Sequence, residues 1–373
     1  MANDDSPVLI YNYPIDINIT IHLDNDKFEA TILASGIAPQ IFSIELTRDA
    51  VQEINSSLRR AIEEVSNSAE EGDGVSSEAL SQLATAGKSA FNKIFKEGKP
   101  LLYKILELIR KESEITIEIA SKNFFIPWEL LYDGPLGKEV DISKFWGMKY
   151  IISRTIIQRR RPGAIASPII RSSSPSVGLI ASGENELENV DNNEIPMLRE
   201  LAVQNKILLV HLRRLNADQH DEELEYFGHF LEGIQIVHVA CHALHRKTNR
   251  QPFLDIADDF YITVEDFGAH QFETRESPLV ILNACLTGII DTLSIAGWAL
   301  EFWNFGARGV LATEFQVPDW FAAAFIRELY KQLLSGKPIG ESLWATRCHF
   351  WEKHNPLGLA YALYSPLAIK IVK

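Results

Sequence analysis

The sequence is poor in cysteine, has no long apolar run and carries no excess of positive charge. Only three cysteines occur in 373 residues. A small, odd number gives no disulfide framework, so a reducing cytosol is the simpler setting. No apolar stretch approaches the roughly 18 residues of a membrane span. The stretch from Met1 to Ser6 carries Asp4 and Asp5 where an export signal has a basic start and an apolar run. A soluble, cytoplasmic protein with no membrane contact is expected. Lys plus Arg number 36 against 50 for Asp plus Glu, a net charge of −14. A field of that sign repels phosphates and argues against direct nucleic-acid binding. Phosphate-binding loops, dinucleotide glycine patterns, calcium loops and paired-carboxylate motifs are missing, so no cofactor is expected.

What is present suits a folded chain. Hydrophobic residues make up 46% and charged residues 23%, which supports a substantial core and excludes general disorder. The length fits one large or two ordinary domains. Runs at 16–23 and 27–33, separated by Asp24-Asn25-Asp26, predict a hairpin. Helical patterns follow at 47–66 and 77–109, then strands near 115–120 and 149–155. A break lies at 159–175, from Arg159-Arg160-Arg161-Pro162-Gly163 to Ser172-Ser173-Ser174-Pro175. Basic, Pro and Ser residues without periodicity read as a linker. Its sharper reading is a site where cleavage switches the protein on. The expected division is therefore 1–158, a linker at 159–175, and 176–373.

After residue 175 the pattern becomes βαβ. Apolar runs at 176–181, 207–212, 234–240, 279–284 and 309–313 alternate with helical patterns at 196–204, 222–231, 295–304 and 320–335. A final run at 366–372 is a further candidate strand. Continuous apolar strands between helices predict an α/β domain with a mostly parallel sheet covered on both faces. In such sheets, functional residues gather beyond the carboxyl ends of the strands.

Two strand ends carry chemistry. One is His238-Val239-Ala240-Cys241-His242-Ala243, the other Asn283-Ala284-Cys285-Leu286-Thr287-Gly288. Parallel neighbours would bring His242 and Cys285 within reach of one another. An imidazole beside a thiol is the minimum for thiolate attack on a carbonyl. Taken singly, a strand cysteine is usually core, and a strand-end histidine is usually a satisfied polar group. A third reading is zinc held by His238, Cys241, His242, His245 and Cys285. Strand alternation sends His238 and Cys241 to opposite faces, which counts against it, and no metal site is expected.

These residues also carry a resemblance. The second half resembles the CHAT domain, a caspase-like peptidase family related to separases, gingipains and metacaspases. The two strand ends resemble its histidine and nucleophile motifs. Gly306 to Thr313 with Val317-Pro318-Asp319, and Gly336 to Arg347, resemble the pieces that follow. Ile126-Pro127-Trp128-Glu129-Leu130-Leu131 and Ile152-Ser153-Arg154 resemble the upstream signature. The ordered matches cover roughly 115–372.

The resemblance implies a caspase-like three-layer sandwich with a mostly parallel sheet. The N-terminal part would be an α+β partner subdomain without its own His and Cys at strand ends. It implies a cysteine endopeptidase in which Cys285 is the nucleophile, His242 the base and acid, and the backbone N–H groups of Cys285 and Ala243 the oxyanion hole. Metacaspases carry an Asp two residues before the nucleophile for a basic substrate side chain; Asn283 stands there. Glu184 is a candidate replacement for that charge on the substrate side. A regulated bacterial defence or cell-death pathway is the implied setting. A protein substrate and a controlling protein partner are expected, and the rival is an inactive caspase-like scaffold. A Glu129–Arg154 pair, an N-cap at Asp319, and core positions for Cys241 and Cys348 complete the expectations.

Overall fold

The computed structural model describes residues 13–24, 27–70, 74–109, 114–137, 139–157, 167–181, 188–212, 215, 217–245, 252–257, 260–270, 274–283, 285–286 and 292–373. The first half opens with β1 (Ile17–Asp24), β2 (Lys27–Ala34) and β3 (Ile37–Ile44). β1 and β2 pair antiparallel with Asp24 opposite Lys27, as the hairpin reading expects. The third strand is not legible in the sequence because Pro39 interrupts it. Proline is tolerated there because β3 is an edge strand.

Helix α1 (Arg48–Asn67) is capped by Thr47, whose hydroxyl accepts the Ala50 N–H at 3.2 Å. Its buried residues, Val51, Ile54, Leu58, Ala61, Ile62 and Val65, form one apolar stripe. The single helix expected over 77–109 is two, α2 (Ser77–Ile94) and α3 (Lys99–Leu108). The new helix starts after Gly98 with Pro100 in its first turn, where a missing N–H costs nothing. β4 (Ile115–Ser121), α4 (Trp146–Lys149) and β5 (Tyr150–Ile156) complete this half. The sheet order is β3-β2-β1-β4-β5, with β1, β4 and β5 parallel.

The second half begins with β6 (Ile169–Arg171), β7 (Ser176–Ala181), α5 (Ile195–Val203) and β8 (Leu208–His211). It continues with α6 (His220–Glu232), β9 (Ile236–Ala240), β10 (His242–His245), β11 (Pro252–Ala257), β12 (Phe260–Thr263) and α7 (Val264–His270). Then come β13 (Leu279–Leu282), β14 (Cys285–Leu286), α8 (Thr292–Phe305), β15 (Gly309–Thr313), α9 (Asp319–Leu334) and α10 (Ile339–Trp351). β16 (Tyr361–Tyr364) and β17 (Lys370–Val372) close the chain. The main sheet runs β16-β15-β13-β9-β7-β8 and is parallel except for β16.

Strand alternation assigns the two faces of that sheet. Val237, Val239, Val280, Leu282, Val310 and Ala312 pack with Leu224 and Phe227 of α6, Phe267 of α7 and Trp298 of α8. Ile236, Leu279, Ile281 and Leu311 pack the other way, with Leu198 of α5, Phe325 and Leu329 of α9, and Leu343 of α10. Both faces are buried, so the strands read as continuous apolar runs. The result is a three-layer α/β/α arrangement. The second core continues into the N-terminal sheet through Ile17, Ile117 and Ile152.

The segment read as a linker contributes a strand. β6 pairs in parallel with β17, and three residues between Ser and Pro are too few to show periodicity. The basic run Arg159–Arg161 lies outside the described residues. Among the described residues, no helix is long and apolar enough to cross a membrane.

Candidate active site

β9 and β13 lie side by side at the centre of the main sheet, with Ile236 opposite Leu279 and Val239 opposite Leu282. They end together, which is the condition for residues beyond both ends to converge. The chain then pairs again. The Asn283 N–H donates to the Val239 carbonyl at 2.9 Å. β10 and β14 run parallel, with His242 in register with Cys285 and Ala243 with Leu286. Paired strands lie about 4.8 Å apart, so the His242 and Cys285 backbones are immediate neighbours. On its other side β10 is held by β11, with His242 opposite Asp255. A second, small sheet, β12-β11-β10-β14, thus frames these positions.

Glu184 lies outside the described residues. Asn283 is described and buried, at 4% exposure. Its Nδ2 donates to both Glu194 carboxylate oxygens, at 3.2 and 3.0 Å. Its Oδ1 accepts from the Tyr361 hydroxyl at 2.8 Å. Glu194 also meets Nε2 of His238, and Nδ1 of that ring lies 3.1 Å from the Tyr330 hydroxyl. Both His238 nitrogens are therefore engaged within the fold. Burial, and then the charge of Glu194, push the Tyr330 phenol well above its ordinary value, which keeps it a neutral donor.

Cys241 is wholly buried and belongs to the core shared by Val239 and Leu254. Cys348 is partly buried beside the other core, and burial pushes its thiol up to about 11. Among the described residues, no group of three or more His, Cys, Asp or Glu is placed to hold a metal ion.

A second buried polar group joins the two halves. Arg154 of β5 pairs with Glu129, as the sequence suggested, and also donates to Glu314 at 2.6 Å and to the Tyr364 hydroxyl at 3.2 Å. The Tyr364 hydroxyl in turn donates to Glu314 at 2.5 Å. Arg347 lies 3.6 Å from the other Glu129 oxygen and donates to the carbonyls of Gly147, Gly358 and Tyr361. Burial opposes a charge on Arg154, but Glu129 and Glu314 hold it well above its ordinary value.

One capping expectation is corrected. Helix α9 starts at Asp319, with Pro318 at the cap and no side-chain cap bond. The Asp319 carboxylate instead accepts the Asn189 N–H at 2.8 Å. The helix begins one residue earlier than expected, which places Asp319 inside its first turn.

Sequence reasoning missed Glu194, Tyr330 and Tyr361. Glu194 ends an acidic, asparagine-rich stretch without apolar periodicity. In the structure it closes a π-helical turn at Val190–Glu194 that swings its side chain inward. The nearest signal was Asn283 itself, an amide at a strand end that needs partners for both its nitrogen and its oxygen once buried.

The family model for the CHAT domain matches residues 98–362, well over half of the chain. No curated sequence matches. Two solved structures of the Saccharomyces cerevisiae separase–securin complex are similar in fold. One has a TM-score of 0.52 at 9% identity, covering 96% of this chain and 30% of that one. The other has a TM-score of 0.48 at 10% identity, covering 95% and 30%. This chain therefore spans less than a third of the separase chains it resembles.

Proposed function

Because the chain belongs to the CHAT-domain family, we propose that it is a cysteine endopeptidase that cleaves a partner protein through Cys285 and His242. The observation that supports this most is the in-register pairing of those two residues on β10 and β14. The His242 imidazole takes the thiol proton, and the Cys285 sulfur attacks the peptide carbonyl carbon. The oxyanion accepts from the backbone N–H groups of Cys285 and Ala243. The C–N bond breaks as His242 returns the proton to the leaving amine, leaving a thioester. A water deprotonated by His242 then releases the acid and restores the thiol.

Substrate contacts are assigned to the region of Glu184; the Asn283 amide is buried and already bonded to Glu194 and Tyr361. With Asn at 283, a strict preference for Arg or Lys by that route is not expected. A free endopeptidase is hazardous, so control by a protein partner belongs to the proposal. The separase of the similar structures is bound to securin, which supports that form of control. A regulated bacterial defence or cell-death pathway is the proposed setting.

The test is cleavage of a proteome-derived peptide library, read as new N-termini. Wild type should cut, and Cys285→Ala and His242→Ala should not. Cutting that survives both substitutions overturns the thiol mechanism. A wild-type chain that binds peptides and cuts none favours the inactive scaffold.

A further inference from the structure

We propose that Glu194 is a positioning residue that fixes the strand ends carrying His242 and Cys285 relative to one another. The proposal rests on the reading of those two residues as the catalytic pair.

The Glu194 side chain is wholly buried. A buried carboxylate persists only where donors satisfy it. Here the donors come from both of the strands that lead to the site. His238 on β9 stands four residues before His242, and Asn283, just past β13, stands two before Cys285. One carboxylate therefore ties the two strand ends together, just before the chain pairs again as β10 and β14. The tie is braced from outside by Tyr330 of α9 on His238 and by Tyr361 of β16 on Asn283. Tyr361 is itself stacked on Phe325 of α9 at 3.9 Å.

The chain of bonds has one direction. A carboxylate only accepts, so Asn283 must present its amide nitrogen and His238 must carry its proton on Nε2. The Asn283 oxygen is then free for the Tyr361 hydroxyl, and His238 Nδ1 is left facing the Tyr330 hydroxyl. No rotation of a single group preserves this set. A carboxylate in place of the Asn283 amide would instead face Glu194 as a second acceptor, which accounts for asparagine at that position. Both side chains are buried and bound to each other, so they act through the strands and not on substrate.

The test exchanges the two groups. In E194Q, an amide N–H is presented to donors. In N283D, two carboxylates meet. In the double variant, the amide nitrogen at position 194 donates to the carboxylate at position 283. The amide oxygen at position 194 accepts from His238, and the carboxylate at position 283 accepts from Tyr361. The readout is the pH profile of iodoacetamide alkylation at Cys285, followed by mass spectrometry, with melting temperature and Cys348 alkylation as references. In wild type, Cys285 should react at pH 6.5, where an ordinary thiol is protonated. Each single variant should slow that reaction by about tenfold or more, and the double should return to within about threefold of wild type. Cys348 should be unchanged throughout.

A folded E194Q with the wild-type Cys285 profile overturns the positioning role alone. Equal loss at Cys348 also overturns it, since that is general loosening. If E194Q does not fold, the double against N283D decides, and a double no faster than N283D overturns the proposal. A wild-type Cys285 with an ordinary thiol profile removes the catalytic pair, and the proposal with it.

Discussion

Two buried polar networks meet on β16, one at Tyr364 and one at Tyr361, and they are built on different principles. The Arg154 network holds two arginines and two glutamates, so its formal charges balance within the cluster. It links β5 of the first half to the chain just after β15 and to β16 of the second. The Glu194 network holds one carboxylate among an imidazole, an amide and two phenols. It links strand ends within the second half. Removing a member of the first leaves a buried charge without its counterpart, which is a loss of stability. Changing a member of the second reverses a hydrogen-bond direction, which should be read in the geometry beyond the strands.

The sharpest way to break this distinction is Arg154→Met. It leaves Glu314 without its arginine and Glu129 with Arg347 alone, and should cost about 3–5 kcal/mol in urea unfolding. A cost below about 1 kcal/mol would mean that the network is relaxed or hydrated and does not join the halves. Next comes Tyr364→Phe, which removes a hydroxyl that accepts from the Arg154 guanidinium and donates to Glu314. About 1.5–3 kcal/mol is expected, because hydrogen bonds to charged groups are the stronger ones. Cys285 alkylation should be unaffected. Tyr361→Phe deletes the same atom three residues earlier on the same strand. The stack on Phe325 survives, so about 1 kcal/mol is expected, yet Cys285 alkylation should slow. If Tyr364→Phe slowed Cys285 and Tyr361→Phe did not, the roles of the two networks would be exchanged.

The smallest effect belongs to Cys348, outside both networks. Its thiol is raised to about 11 from an ordinary 9.0. At pH 8 it should hold about a hundredfold less thiolate than an unfolded cysteine and alkylate correspondingly slowly. The folded chain keeps this proton longer than the unfolded chain. Its contribution to stability is therefore full below the ordinary thiol value and declines as pH rises toward about 11. Cys348→Ala should flatten that alkaline decline in unfolding measurements between pH 8 and 11.

The main sheet was the most legible part of the molecule. β7 and β15 fall where expected, because strands buried on both faces are continuous apolar runs bounded by polar or turn residues. The pairing of His242 with Cys285 followed from one topological rule, that functional groups lie beyond the carboxyl ends of parallel strands. β3 was hidden by Pro39, and β16 is four residues long and antiparallel, too short for a periodic signal. Glu194 was hidden for another reason. Burial of a glutamate depends on partners more than 40 positions away, His238 and Asn283, and no local pattern records them. Glu129 and Arg154 were legible only because each sits in a matched motif; Glu314 and Arg347, which complete their charge balance, were not tied to them.

The proposed chemistry makes Cys285 a nucleophile activated by His242. A peptidyl acyloxymethyl ketone is the probe, because its carboxylate is displaced, with a C–S bond formed, only by a nucleophile whose site also accepts the peptide portion. Incubation followed by intact mass and peptide mapping should show one adduct, on Cys285, formed in wild type and lost in His242→Ala. An adduct on Cys241 or Cys348 instead, or one on Cys285 that forms equally fast without His242, would contradict the account.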